Sequence, residues 1–272
     1  MTTPDWNRIR DEYRHDGVAV VRGVIASDWL ARVAQALEEA LVDRSAISAD
    51  RFDAEGRRFH NGFFHWQRHE ALRQWALDSV LPEIAAQVLE SPEIRFFYDQ
   101  TMIKEPGVNE PTPWHQDLTY WPLTGDKVLT IWVPFDTVDM ESGAVVYARG
   151  SHLRAPLYGA GPGSSAGDSS MPAFPDMSLT NYGLLAWNTQ PGDCIVHHPR
   201  VLHMAGPNRR ADRRRRATAM RYVGDNVRWQ HRGNDMFQEL RKRFADAPHI
   251  ALGDGEPLDH PQFPRVWPRP RL

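Results

Sequence analysis

The chain has 272 residues and a formal net charge of −3, with 41% hydrophobic and 25% charged residues. These values are typical of a soluble globular protein and give no reason to expect a nucleic-acid partner. Residues 1–14 are polar and charged, so we expect neither a signal peptide nor a membrane helix, and we predict a cytoplasmic location. Cys194 is the single cysteine, which excludes an internal disulfide, a zinc knuckle and a CxxC redox pair.

Helical and strand patterns follow one another along the chain. A helix is predicted over residues 4–15, ended by Gly17, and a strand follows at 18–21. Ser27 or Asp28 is expected to cap the next helix, whose apolar residues recur at helical spacing. The later predicted elements are helices at 69–78 and 81–90, strands at 94–104, 128–135, 144–148, 194–198 and 217–223, and a surface helix at 235–244.

Two segments without clear periodicity are predicted to be loops. Residues 54–67 are rich in Arg, His and Phe, whereas residues 154–182 change to Gly, Ser, Pro and Ala. Long loops inside a compact domain are commonly functional lids. Helices followed by many short strands favour an α+β protein with a mainly antiparallel core. We expect one domain over 1–272, with a helical part at about 1–92, a β core at about 93–225, and a C-terminal helix and Pro-rich tail at 226–272.

The stretch Pro113–Asp117 places His115 and Asp117 two residues apart. In an extended segment, alternation sends both side chains to the same side. An imidazole and a carboxylate suit a divalent metal such as Fe(II), and a second histidine would complete the facial triad of non-haem Fe(II) oxygenases. The candidates for that histidine come after a predicted turn at residues 191–193 and are His197, His198 and His203.

Four consecutive arginines, Arg213–Arg216, precede a segment whose composition suits a strand. A buried guanidinium needs a planar anionic partner, and a ligand carboxylate held by two hydrogen bonds would serve. We therefore expect one of these arginines to lie beside the metal, and at least two others to belong to a solvated basic loop.

Taken together, these motifs resemble the phytanoyl-CoA dioxygenase family of Fe(II)/2-oxoglutarate-dependent oxygenases. The resemblance covers roughly residues 11–223 and implies a double-stranded β-helix, the cupin-like jelly roll, flanked by N-terminal helices. The matching pieces are Trp114–Asp117, Gly150–His152, Gly192–Asp193, His203, Asn208 and an arginine about a dozen residues after His203.

The resemblance also implies a role for each site residue. His115, Asp117 and His203 would be the catalytic metal ligands, and Fe(II), 2-oxoglutarate and O2 the cofactors. Arg215 would bind 2-oxoglutarate, with Arg214 as the alternative. Further contacts to 2-oxoglutarate are expected from Tyr98, Gln100, Trp121 and Trp132.

One position departs from the family pattern. The family often has a serine two residues after the distal histidine, and this chain has Ala205 there. One hydroxyl contact to the co-substrate is therefore expected to be missing or replaced.

The implied reaction is hydroxylation of an unactivated C–H bond of a small metabolite, with release of succinate and CO2. Desaturation, epimerisation or ring formation at the same site are alternatives, and so is hydroxylation of an acyl-CoA. A metal-free jelly-roll binding protein is the alternative from another class. Halogenation is disfavoured, because Asp117 occupies the position that a halide would need.

The composition of residues 154–182 favours a free metabolite over an acyl-CoA. That segment holds one basic residue, Arg154, together with Asp168 and Asp176, whereas CoA phosphates would favour several cations. We expect residues 54–67 and 154–182 to enclose the substrate from two sides. The protein is expected to act as a monomer or homodimer, without nucleic-acid or membrane partners.

Overall fold

The computed structural model describes residues 3–43, 46–160 and 170–269. In these ranges the helices are α1 (Trp6–Asp16), α2 (Ser27–Val42), α3 (Glu70–Asp78), α4 (Leu81–Leu89), α5 (Ser151–Arg154) and α6 (Met236–Arg243). The strands are β1 (Val18–Val21), β2 (Ile47–Ser48), β3 (Arg51–Phe52), β4 (Arg58–Phe63), β5 (Ile94–Lys104), β6 (Thr112–His115), β7 (Leu123–Thr124), β8 (Val128–Pro134), β9 (Val145–Ala148), β10 (Leu184–Leu185), β11 (Cys194–His197), β12 (His203–Ala205), β13 (Arg215–Gly224), β14 (Arg228–Trp229) and β15 (Arg265–Trp267). Short 3-10 helices lie at His65–Gln67, Asp117–Tyr120 and Met177–Leu179.

Two antiparallel sheets form the centre of the molecule. The larger sheet has the strand order β1-β11-β8-β13-β5-β4-β2, with β15 beside β5 and β3 beside β4. The smaller sheet has the order β10-β9-β12-β6. Trp132 and Ala219 of the larger sheet join Tyr147 and Ala205 of the smaller one in a single apolar cluster. The sheets therefore pack face to face, which is the cupin-like α+β arrangement that the sequence predicts.

The N-terminal helices cover the outer face of the larger sheet and build the main apolar core there. Tyr13 of α1 is buried and its hydroxyl donates a hydrogen bond to the Val128 carbonyl oxygen at 2.7 Å. Trp75 of α3 is fully buried, and its indole N–H donates to the Thr218 hydroxyl of β13 at 3.3 Å. Because Thr218 faces these helices, alternation along β13 turns Arg215, Ala217 and Ala219 toward the space between the sheets.

Local sequence signals explain most helix ends. The Asp5 side chain accepts a hydrogen bond from the first turn of α1, and Gly17 ends that helix with φ 81°, a left-handed conformation that favours glycine. The predicted cap of α2 is wrong. The cap position is Ala26, which has no side-chain hydrogen bond, and Ser27 and Asp28 already lie in the first turn. An acidic side chain in the first turn still interacts favourably with the helix dipole.

The predicted loop at 54–67 is also wrong, because it contains β4 and a 3-10 helix. β4 pairs with β5 in the larger sheet, with Phe63 opposite Gln100. Phe59 and His60 are adjacent on the strand and both are buried, so both faces of β4 are covered. A strand covered on both faces lacks the alternation by which a strand is recognised in sequence.

The Pro-rich tail packs against the molecule as predicted. Its strand β15 pairs with β5, and Phe263 is fully buried in the main core. Within the described ranges, no helix combines the length and apolarity needed to cross a bilayer.

Candidate metal and co-substrate site

His115 and His203 are direct partners in the ladder between β6 and β12 of the smaller sheet. Their rings lie 4.1 Å apart between centroids. Side chains at one rung of an antiparallel ladder lie on the same face, and here this is the face toward the larger sheet. The pairing therefore brings together two imidazoles that are 88 residues apart in the chain.

Asp117 joins the two histidines because the residue before it is extended. Gln116 has φ −120° and ψ 131°, so alternation places His115 and Asp117 on one side and Gln116 on the other, as predicted. The Gln116 amide nitrogen donates to the carbonyl oxygens of Pro156 and Arg200 at 3.1 and 2.8 Å. Its oxygen accepts from the Tyr158 backbone N–H at 2.9 Å, and these bonds fix the backbone that carries the two ligand candidates.

The three side chains present one donor atom each to a common point. Among the described residues they form the one group of three or more His, Cys, Asp or Glu whose ligand atoms all lie within 4.8 Å of one another. The Nε2 atoms of His115 and His203 lie 3.5 and 3.9 Å from Asp117 Oδ1. Each Nδ1 faces a carbonyl oxygen, that of Pro113 at 2.8 Å and that of Val201 at 3.0 Å. An Nδ1–H donor to a carbonyl leaves Nε2 with a free lone pair for a metal.

The electrostatics of the group suit a cation. Burial alone would raise the pKa of Asp117, but the neighbouring His115 and His197 and the charge of Arg221 outweigh it, so this pKa lies well below its usual range. Burial, together with the neighbouring His115, lowers the pKa of His203 well below its usual value. A carboxylate that is ionised beside an imidazole that is neutral is the protonation pattern that a divalent metal requires.

The second oxygen of Asp117 has its own partners. Oδ2 accepts a hydrogen bond from the Thr130 hydroxyl at 2.9 Å and lies 3.4 Å from His197 Nε2 and 4.0 Å from an Nη of Arg221. His197 is thus beside the carboxylate, with its ring centroid 4.7 Å from that of His203, but it does not belong to the group of converging ligand atoms. His198 faces elsewhere and packs against His152 with ring centroids 5.2 Å apart.

Arg215 begins β13 and is buried, with 1% of its surface exposed. Its Nε and Nη1 have no hydrogen-bond partner among the described residues. Burial lowers its pKa to about 10. It lines a cavity of about 90 Å³ that His115, Asp117 and His203 also line. A buried guanidinium with unpartnered N–H groups in such a cavity is suited to binding an anionic ligand.

The other three arginines of the run point outward. Arg214 is bound to Glu105 at 2.7 Å and to Glu38 at 2.8 Å, and Arg216 contacts Asp136 at 2.7 Å. Arg213 lies 3.5 Å from Asp212 and is more than a third exposed. The alternative Arg214 therefore faces away from the cavity.

The remaining predicted co-substrate residues all line a cavity at the site. Gln100 lines both the small cavity and a larger one of about 440 Å³, whereas Trp132 lines the small cavity and Tyr98 and Trp121 line the larger one. The Trp121 indole N–H donates to the Tyr98 hydroxyl at 2.8 Å. Ala205 lines the small cavity, and its ladder partner Thr112 lines both cavities.

Arg221 was missed from the sequence although it lies at the boundary of the two cavities. It donates to the Gln100 amide oxygen at 2.5 Å, and its guanidinium lies 4.5 Å from the centroid of the Tyr98 ring. The two-residue period of β13 could have identified it, since residues 215, 217, 219 and 221 share one face.

The wall of the larger cavity differs from the prediction. Asn61 and Phe63 of the 54–67 segment line it, but the described residues of 154–182 do not. Tyr158 and Phe174 of that segment instead pack beside Trp114, and Asp168 lies outside the described residues. The opposite wall is α6, which contributes Met236, Glu239, Leu240 and Arg243.

Comparison with known families agrees with this geometry. The model of the family described as phytanoyl-CoA dioxygenase (PhyH) matches residues 13–217. The chain belongs to this family. PhyH proteins are Fe(II)- and 2-oxoglutarate-dependent oxygenases, and the two imidazoles and one carboxylate of the His-Asp-His group fit an Fe(II) ion.

A curated relative is a probable alpha-ketoglutarate-dependent hypophosphite dioxygenase of Stutzerimonas stutzeri, 31% identical over 115 residues. The match spans 41% of this chain and 39% of the relative. Two solved structures from nogalamycin biosynthesis are similar over nearly the whole chain. The carbocyclase SnoK has 24% identity, 95% coverage of both chains and a TM-score of 0.75. The epimerase SnoN, in complex with Fe3+, alpha ketoglutarate and nogalamycin RO, has 23% identity, 96% and 98% coverage and a TM-score of 0.75.

Proposed function

We propose that the protein is an Fe(II)/2-oxoglutarate-dependent oxygenase that hydroxylates a C–H bond of a free small metabolite. In this proposal His115, Asp117 and His203 hold the iron. The observation that carries it is the convergence of their three ligand atoms beside a buried arginine with unpartnered N–H groups. When bound, iron, 2-oxoglutarate and O2 would supply the oxidising chemistry: one oxygen atom of O2 goes to the succinate that 2-oxoglutarate forms with loss of CO2, and the other goes to the substrate.

The other residues of the small cavity bind and orient the co-substrate. Arg215 is proposed to hold the distal carboxylate of 2-oxoglutarate with its fork of N–H donors. Trp132, whose ring centroid lies 5.9 Å from that guanidinium, packs beside it. Gln100 lines both cavities, and Tyr98 and Trp121 line the larger one, so these three side chains would lie between co-substrate and substrate.

The larger cavity supports an organic substrate of moderate size. Its volume of about 440 Å³ lies in the range of pockets that enclose drug-sized ligands. Hypophosphite, which the name of the curated relative gives as its substrate, has three non-hydrogen atoms and would leave most of this cavity unfilled. We therefore do not propose it as the substrate of this protein. The residues that line this cavity include three arginines and three acidic residues: Arg51, Arg221, Arg243, Asp50, Asp117 and Glu239. A mixed rim of this kind favours a free metabolite over the phosphates of an acyl-CoA.

Epimerisation or ring formation at the same site is the second candidate. The two nogalamycin proteins are named an epimerase and a carbocyclase, and each similarity covers at least 95% of both chains. These outcomes use the same metal and co-substrate and differ from hydroxylation in the step after hydrogen abstraction. Product analysis separates them from hydroxylation, because only hydroxylation adds an oxygen atom.

We also propose a single domain over 1–272 that works in the cytoplasm as a monomer or homodimer. The single-domain proposal is supported by β1 and β15, which come from the two ends of the chain and both pair within the larger sheet.

The test begins with the purified protein under anaerobic conditions. Addition of Fe(II) and then 2-oxoglutarate should produce the visible metal-to-ligand charge-transfer band of the chelated co-substrate. A metabolite library that includes acyl-CoAs is then screened for compounds that stimulate succinate release in air. Absence of the band would contradict the proposed function and favour a metal-free binding protein. Coupled hydroxylation of an acyl-CoA, with the free acid inert, would contradict the free-metabolite proposal.

A further inference from the structure

The two oxygens of Asp117 lie in different environments. Oδ1 faces the Nε2 atoms of His115 and His203 at 3.5 and 3.9 Å. Oδ2 is turned to the other side, where it accepts from Thr130 at 2.9 Å and faces His197 Nε2 at 3.4 Å. The contacts of Oδ2 come from the protein itself and hold the carboxylate in one orientation.

His197 connects this carboxylate to a buried tyrosine. It ends β11 in the larger sheet and is 3% exposed. Its Nδ1 lies 3.2 Å from the hydroxyl of Tyr147, which belongs to β9 of the smaller sheet and is fully buried. The chain Tyr147–His197–Asp117 thus crosses the space between the two sheets.

The chemistry of the three groups fixes the direction of these contacts. An ionised carboxylate can only accept hydrogen bonds, so His197 Nε2 must carry the proton that points to Oδ2. In a neutral imidazole the other nitrogen is then an acceptor. Tyr147, which keeps its phenol proton at neutral pH, supplies the donor. Tyr147 therefore selects the tautomer in which His197 can bind Asp117.

We propose that His197, oriented by Tyr147, is a positioning residue that keeps Asp117 a one-oxygen ligand of the iron. The inference rests on the proposed function and gives His197 a role distinct from that of a third ligand. With Oδ2 held by His197 and Thr130, Oδ1 alone faces the two imidazole nitrogens. A carboxylate that turned both oxygens to the metal would occupy a position that 2-oxoglutarate or O2 needs.

The experiment compares Fe(II) affinity and the charge-transfer band of the 2-oxoglutarate complex, both measured anaerobically. His197→Phe keeps a planar ring but removes both hydrogen bonds. We expect its Fe(II) affinity to fall roughly 10- to 100-fold, as for other partners of metal ligands, and its charge-transfer band to shift. His197→Gln places an amide N–H near the position of Nε2 and should recover most of the affinity.

Tyr147→Phe gives an independent reading, because it leaves His197 in place and removes the group that selects its tautomer. We expect a smaller loss of Fe(II) affinity than in His197→Phe. His198→Phe is the matched control, since His198 is the next residue and packs against His152 away from the site. It should bind Fe(II) as the wild type does. Thermal unfolding of the metal-free proteins checks that each variant is folded.

Three outcomes would decide against the proposal. Wild-type affinity and an unchanged band in both His197→Phe and Tyr147→Phe would show that the contacts do not position Asp117. Loss of all Fe(II) binding in His197→Phe, with binding retained in His203→Phe, would make His197 the ligand. If the wild type itself gives no Fe(II)·2-oxoglutarate band, the proposed function fails and the inference fails with it.

Discussion

Both faces of β13 carry arginines, but those on the outer face are ion-paired and those on the inner face are buried without a full set of partners. On the outer side Arg216, and Arg214 just before the strand, are bound to Asp136, Glu38 and Glu105 at 2.7–3.1 Å. On the inner side Arg215 and Arg221 are at most 4% exposed, and each keeps an Nε without a partner among the described residues.

The charges on the outer face of β13 are structural, whereas those on the inner face are available for ligands. A partly exposed ion pair is satisfied within the protein and contributes little net stability. A buried cation without a full set of partners is unfavourable in the protein alone and becomes favourable when an anion binds. The same chain segment therefore carries satisfied surface charges on one side and a prepared binding site on the other.

The largest expected effect on activity comes from removing the carboxylate of Asp117, which lies between the two sheets. Asp117→Ala should abolish substrate-stimulated succinate release, because two histidines alone leave the metal without its anionic ligand. The measurement is succinate production at saturating Fe(II) and 2-oxoglutarate, with circular dichroism to confirm the fold. His203→Ala should behave in the same way. Full activity in either variant would refute the ligand assignment.

Asp99 of β5 is a buried carboxylate that, like Arg215, lacks a full set of partners. Burial raises its pKa to about 7, and its Oδ2 has no partner among the described residues. The unfolded-state pKa is about 3.9, so between these values the unfolded chain binds fewer protons and stability falls as pH rises. The loss approaches about 4 kcal/mol, from roughly three pKa units at 1.36 kcal/mol each.

Asp99→Asn should remove this pH dependence. Chemical unfolding at pH 5 and pH 8 measures it, and the wild type should lose more unfolding free energy across the interval than the variant does. Asp246→Asn is the control, because the Asp246 side chain is 75% exposed. Equal pH profiles for Asp99→Asn and the wild type would contradict the prediction.

Arg215→Leu tests whether the buried guanidinium on the inner face of β13 binds 2-oxoglutarate. Loss of a charge-assisted contact costs about 1.5–3 kcal/mol, which corresponds to roughly a ten- to hundredfold rise in the 2-oxoglutarate concentration needed for half-maximal turnover. The measurement is the initial rate of succinate release as 2-oxoglutarate is varied. Arg213→Leu should change this concentration little. A large effect in Arg214→Leu with none in Arg215→Leu would reverse the assignment.

The smallest effect is expected for the outer ion pairs. Arg214 is 40% exposed, and its pairs with Glu38 and Glu105 are of a kind that contributes about 0.2–1 kcal/mol in water. Arg214→Leu should lower the melting temperature by a few degrees at most and leave the 2-oxoglutarate requirement unchanged. A loss of stability above about 2 kcal/mol would show that this outer network is more than an ordinary surface network.

The sequence predicted the long elements because their signals are local. The helices α3, α4 and α6 and the strand β5 lie within one residue of the predicted ends. Strand β4 was missed because both of its faces are covered, and the cap of α2 was misplaced by one or two residues. Such errors arise where burial by distant elements determines the local pattern.

The candidate site was accessible from sequence to the extent that its motifs are contiguous. His115 and Asp117 are two residues apart, and Arg215 lies in a conspicuous run. The contribution of α6 to the larger cavity was not predictable, because it depends on where the chain returns after β14. The position of His197 beside Asp117 Oδ2 likewise depends on how the two sheets face each other.

The pairing of His115 with His203 links metal binding to the register between β6 and β12 of the smaller sheet. β6 has four residues and β12 has three, and their register shifts between His203 and Ala205. A ladder this short specifies its own register weakly, and a slip by one residue would turn His203 to the opposite face. A metal ion held by both histidines would act as a cross-link between the strands that is compatible with one register alone. Iron would thereby select the pairing of the sheet that binds it.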